Sequence, residues 1–163
     1  MTKFLLAVHV LAAILAIGPV AVAASMFPAA AQRSQTRPAD VRTVATAEVL
    51  NRICRVYAVV GIVVPVFGFA VASMLHVLGS VWLIISIALT AIAAAMLALL
   101  VLPGQGKALA ELTAGTETAG ASVDSVPDRR GLARLGMYTG IFNLLWAAVT
   151  VLMIVRPGST TGV

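Results

Sequence analysis

Charged positions fall into a few stretches of the chain, and long apolar runs lie between them. No formal charge appears from Phe4 to Phe27, a run ended by Pro28. None appears from Val56 to Gly106, and none from Leu135 to Val155, where Arg156-Pro157-Gly158 follows. A bilayer core about 30 Å thick takes about 20 helical residues, which the first and third runs match. The middle run as one straight helix would be about 76 Å long, so it has to fold back. His76-Val77-Leu78-Gly79-Ser80 is the one place near its middle where polar residues and glycine gather. The pattern therefore predicts an all-α polytopic membrane protein, a bundle of four transmembrane helices. The spans are about 4–27, 56–78, 81–102 and 135–155, the third closed by Pro103-Gly104.

The intervening segments, 28–55 and 103–134, read as polar loops within one membrane domain covering 1–163. The first loop carries a helical signal of its own. After Pro38-Ala39-Asp40 no breaker occurs until Gly61, and Glu48 and Arg52 stand four apart, the spacing of a helical ion pair. The second span is thus expected to project backwards, several turns out of the membrane. Thr113 to Ser125, rich in Gly, Ala, Ser and Thr, reads as a flexible linker. Lys3 before the first run, with Ala21-Val22-Ala23-Ala24 near its end, has the look of a secretion signal. Its apolar stretch, however, exceeds the about 7–15 residues of such a signal, so it is read as a span. Pro19 and Pro65 each withdraw a backbone N–H and are expected to kink the first and second spans.

Composition agrees: 61% of residues are hydrophobic and 10% charged, against about 45–50% and about 25% in soluble domains. The net charge of +5 does not point to nucleic acid, because the cations are spread through the segments flanking the spans. Arg33, Arg37, Arg42, Arg52, Arg55, Lys107, Arg129, Arg130 and Arg134 lie in the two long segments, and only Lys3 and Arg156 on the opposite side. That asymmetry places the long segments in the cytoplasm of a bacterial inner membrane and both termini outside it. Tyr57 and Tyr138 at one boundary and Trp82 at the other fit aromatic belts. Arg in excess of Lys, with abundant Ala and Val, suggests an actinobacterial source.

Candidate chemistry is sparse. Polar groups inside a membrane are the default functional candidates, yet no Asp, Glu or Lys lies within a span and Arg55 stands only at the mouth of one. The coupling charge of a proton- or ion-driven transporter and the residue sets of acid–base or nucleophilic catalysis are missing, so no enzyme is expected. The lone Cys54 has no intrachain disulfide partner, and no zinc ligand set is present. His9 and His76 are expected near the same membrane face, where two imidazoles on adjacent helices offer a pair of ligands to b-type haem or to a copper ion. The alternative is that each simply hydrogen-bonds a neighbour. Helix-packing signals are clearer. Gly136 and Gly140 form a GxxxG pair, Gly68 and Ala72 a second small pair, and Ala91, Ala94, Ala95 and Ala98 line the third span; such residues let helices approach closely in lipid. Internal packing and docking of a partner helix both use them. Asn143, near the middle of the fourth span, is expected to bond across an interface.

Val8-His9-Val10-Leu11-Ala12 followed by Gly18-Pro19, Gly79-Ser80-Val81-Trp82-Leu83, and Val101-Leu102-Pro103 resemble a family of uncharacterised small four-helix bacterial integral membrane proteins, a domain of unknown function. The resemblance covers most of the chain and implies a fold and little chemistry. A His in the first span is also similar to copper-resistance membrane domains and to haem-bearing membrane protoporphyrinogen oxidases. The chain departs from the latter in having no intramembrane Lys. The function expected is an accessory or assembly subunit, non-catalytic and without a cofactor, seated in the bilayer against larger subunits of a respiratory-chain complex. The alternatives are a haem b redox protein using His9 and His76, and an oligomeric small transporter or channel.

Overall fold

The computed structural model describes residues 2–36, 41–117 and 129–157. Among them every regular element is a helix: α1 (Thr2–Thr36), α2 (Val41–Val60), α3 (Val63–Met74), α4 (Val81–Met96), a π-helical turn (Leu97–Val101), α5 (Leu102–Glu117) and α6 (Arg129–Val155). They make four rods, because α2 runs on into α3, and α4 into α5 through the π turn. Lys3–Ser34, Arg42–Met74, Val81–Ala114 and Arg129–Val155 are each long and apolar enough to cross a membrane. α1 packs on α2, α3 and α6, α4 packs on α6, and α5 packs on α2, so α1 and α6 form the spine of the bundle.

The rods outreach a bilayer. Leu135–Val155 alone rises about 30 Å, a full hydrocarbon core. The remaining turns of α1, α2, α5 and α6 protrude together at the end that carries most of the arginines, here called the basic end. The polar loops expected at 28–55 and 103–134 are thereby corrected: their described parts are helix throughout. Pro28 does not end α1, which continues to Thr36, and the backward projection of α2 begins at Val41. Thr113–Glu117, expected in the flexible linker, belongs to α5; residues 118–125 lie outside the described residues.

Pro103 does not close the third span, and the π turn shows why. Leu102 donates its N–H to Leu97 O, five residues back. This wider turn takes up the ring and the missing N–H of Pro103 without breaking the rod. Pro65 acts as expected. It cannot donate to Gly61 O, which instead accepts the N–H of Val64 at 3.2 Å, and α2 parts from α3 at Gly61-Ile62. The reversal at His76–Ser80 also stands where the pattern put it, with His76 at φ 55°.

The main core lies toward the basic end. It holds Phe27, Leu50, Cys54, Leu97, Val101, Leu112, Leu132 and Phe142 with small residues such as Ala24, Ala31, Ala47, Ala93 and Ala108. Alanines at these positions let the rods approach to near backbone contact, the packing that holds helices together in lipid. A second cluster, Ala72, Trp82 and Leu83, sits at the opposite end. There Arg156 leaves α6 at φ 44° and lays its guanidinium 5.8 Å from the centre of the Trp82 ring. This cation–π contact ties the end of α6 to the start of α4. Trp82 is buried, and Tyr57 and Tyr138 pack against the main core, so all three face protein more than an aromatic belt would require.

Candidate functional site

In two places a polar side chain makes a contact between α1 and a neighbouring helix of the bundle. His9 on α1 lies against α3, with Nδ1 3.0 Å from Val64 O. A carbonyl only accepts, so this contact is a hydrogen bond when the proton sits on Nδ1. The local sequence makes the socket. Gly68 stands one helical turn after Val64, where a side chain would cover that carbonyl, and a Cβ there would sit 3.0 Å from His9 Cε1. Ala72, the other half of the small pair, is buried with Trp82 and Leu83 instead. The pair thus serves two neighbours inside the bundle.

His76 is exposed in the turn beyond Met74. Along α3 that is six residues of helix past Gly68, about 9 Å of rise. The structure therefore does not bring the two imidazoles to one level, as joint axial ligands would require. Among the described residues no three of His, Cys, Asp or Glu converge on a point.

The second place is the α1–α6 contact. Asn143 donates from Nδ2 to Ser25 Oγ at 3.0 Å, and Ser25 donates to Ala21 O at 2.7 Å. Asn143 thus crosses a helix interface, as its position suggested. Asn143 Oδ1 and Trp146 Nε1, one turn apart, are buried without a hydrogen-bond partner. The Trp146 ring meets Phe142 edge-on at 6.4 Å.

A third polar group, at the basic end, escaped sequence reasoning. Asn51 Nδ2 donates to Gln105 Oε1 at 3.2 Å, and Gln105 Nε2 donates to Cys54 Sγ at 3.6 Å. Gln105 and Cys54 are fully buried and Asn51 nearly so. The spacing of Asn51 and Cys54, three apart and so on one face of α2, was available in the sequence. Gln105 was hidden by the reading of Pro103-Gly104 as a helix stop. The chain of bonds fixes α2 against α5 in one register. Gln105→Leu should cost about 1–3 kcal/mol, because it strands the Asn51 amide in the core. Adding Asn51→Leu should recover much of that loss, and equilibrium unfolding of the two single variants and the double variant measures the coupling.

The GxxxG pair lies elsewhere. Gly140 is exposed, and a Cβ on it would meet nothing within 4 Å; one on Gly136 would meet only Pro28 Cγ, at 4.0 Å. On α4, Ala91, Ala94 and Ala95 are likewise exposed. Of the small residues singled out in the sequence, Gly68 and Ala72 are used inside the bundle, Gly136 borders Pro28 of α1, and Gly140 faces outward.

No curated protein and no solved structure matches the chain. A family profile does match, over residues 3–157, which takes in all four rods with their prolines and the sites above. The chain belongs to the family described as predicted integral membrane protein (DUF2269).

Proposed function

We propose that the chain is a non-catalytic accessory or assembly subunit that docks on a larger complex of the bacterial inner membrane. The observation that carries the reading is the outward placement of Gly140, with Gly136 one turn before it at the rim of the α1 contact. The part of this helix face around Gly140, shaped for backbone approach, is left unused by the protein's own bundle. Ala133 and Ala147 extend the same face of α6 and are exposed as well. In lipid such a face gains by packing on another helix, since bulky side chains there would hold the backbones apart. The runs Phe4–Phe27, Val56–Gly106 and Leu135–Val155 hold no Asp, Glu or Lys, which favours a structural role over ion-coupled transport. The respiratory chain is the first host to look for.

Gly140→Leu separates docking from folding. In the isolated protein it should change stability by less than about 0.5 kcal/mol, the scale of a surface substitution. In membranes it should release the protein from its complex, read as loss of co-purifying subunits after solubilisation in mild detergent. Unfolding of the isolated variant, or undiminished co-purification, would refute the docking role of this face.

Orientation follows from the cation asymmetry: the basic end is cytoplasmic and both termini are extracytoplasmic. A reporter fused after Val163 should behave as exported and one inserted in Thr113–Ser125 as cytoplasmic. The reverse pattern would reject the assignment.

A further inference from the structure

Three cations from three helices lie at one level of the bundle, and we infer that they form a seat for the phosphate of an anionic phospholipid. The level is set by two close approaches on α5. A Cβ on Gly106 would sit 3.3 Å from Arg55 Nη2, and one on Gly104 would sit 3.0 Å from Leu135 Cδ1. The Arg55 guanidinium of α2 therefore lies across one flank of α5, and α6 presses on the other flank, with Arg134 next to Leu135. At about 100° per residue, Gln105 turns into the core, where it is fully buried. Lys107 falls on the opposite, outward face, between the two flanks. Arg55, Lys107 and Arg134 are all exposed and lie within about one helical turn of each other along the bundle axis.

This level is the edge of the hydrocarbon. The charge-free runs that begin at Val56 and Leu135 and end at Gly106 all meet it, and α1 reaches it at Pro28, beside Gly136. Among the described residues no carboxylate is ion-paired with Arg55, Lys107 or Arg134. Like charges gathered at a low-dielectric boundary repel, and an anion between them relieves the repulsion. Gly106, immediately before Lys107, has no side chain to hold the Arg55 guanidinium away from this surface. A guanidinium supplies a planar fork that matches phosphate, and the ammonium supplies a point charge beside it. At the rim of the bilayer, the phosphate group available at this depth is that of a lipid, with its acyl chains running along the apolar faces of α4 and α6.

The test uses full-length protein in phosphatidylcholine vesicles and measures how much spin-labelled phosphatidylglycerol or phosphatidylcholine becomes motionally restricted. Phosphatidylglycerol should be preferred. Arg55→Gln, Lys107→Gln and Arg134→Gln should each weaken that preference about fivefold, the effect of one cation near the surface. A control variant, Arg33→Gln/Arg42→Gln/Arg129→Gln, removes three cations that lie farther from this level and should retain most of the preference. Equal loss in the control would show diffuse attraction and overturn the seat. No initial preference for phosphatidylglycerol would also overturn it. Millimolar inorganic phosphate should leave the preference intact at constant ionic strength; full competition would mean a site for soluble anions and would overturn the lipid assignment. Helical content by circular dichroism certifies each variant, and Lys107→Gln, whose side chain lies on the outer face, carries the test if Arg55→Gln does not fold.

Discussion

Phe27→Ala should be among the most damaging single substitutions in the bundle, lowering stability by about 3 kcal/mol. Phe27 is 0% exposed and belongs to the core in which α1, α2, α5 and α6 converge. Lipid is as apolar as the protein interior, so little of this cost is transfer out of water. It comes from the dispersion contacts that the ring loses and the void that rigid neighbours leave unfilled. The comparison that isolates the cause is Phe4→Ala. It removes the same ring from a site 72% exposed and should change stability by less than about 0.5 kcal/mol. Equilibrium unfolding in mixed detergent micelles gives both values, and alkylation of the buried Cys54 offers an independent readout of core opening. Equal effects at the two positions would mean that the ring of Phe27 faces lipid.

Gly68→Leu should come second, at about 2–3 kcal/mol, combining overpacking with the loss of one membrane hydrogen bond. The first atom of the new side chain already meets the His9 ring at 3.0 Å, and an imidazole held between two helices has little freedom to retreat. The variant should also withdraw the Nδ1 contact to Val64 O. Nitrogen NMR of labelled histidine reports this as a change at one ring and not at His76. Gly140→Leu, the same exchange on an outward face, is the internal reference. If Gly68→Leu proves as mild as Gly140→Leu in the isolated protein, α1 and α3 do not pack through this socket.

Local signals carried much of the fold. Span number, the reversal at His76–Ser80, the kink before Pro65, the start of α2 after Pro38-Ala39-Asp40 and the end of α6 before Arg156-Pro157 all follow from hydropathy and from residues that alter backbone hydrogen bonding within one turn. The prolines mark the limit of that reading. Pro28 and Pro103 remove N–H groups as any proline does, and read alone they end helices. In the bundle α1 continues to Thr36 and the third rod to Glu117. Packing at the basic end favours the continuous rods, and the π turn before Pro103 absorbs the defect.

The direction of each helix face was the least legible property. In water, a stripe of apolar residues announces the buried side of a helix. In a bilayer the neighbouring helix and the lipid are both apolar, so Gly68 and Gly140 look alike in the sequence although one receives an imidazole and the other faces outward. The same holds for Phe27 and Phe4. The Asn51–Gln105–Cys54 chain and the level shared by Arg55, Lys107 and Arg134 depend on the register of α2, α5 and α6, which lie far apart in sequence. Four spans and a basic end were written in local composition. Which faces meet followed from the rods packing together, because close approach between helices, rather than hydropathy, tells inside from outside in a membrane.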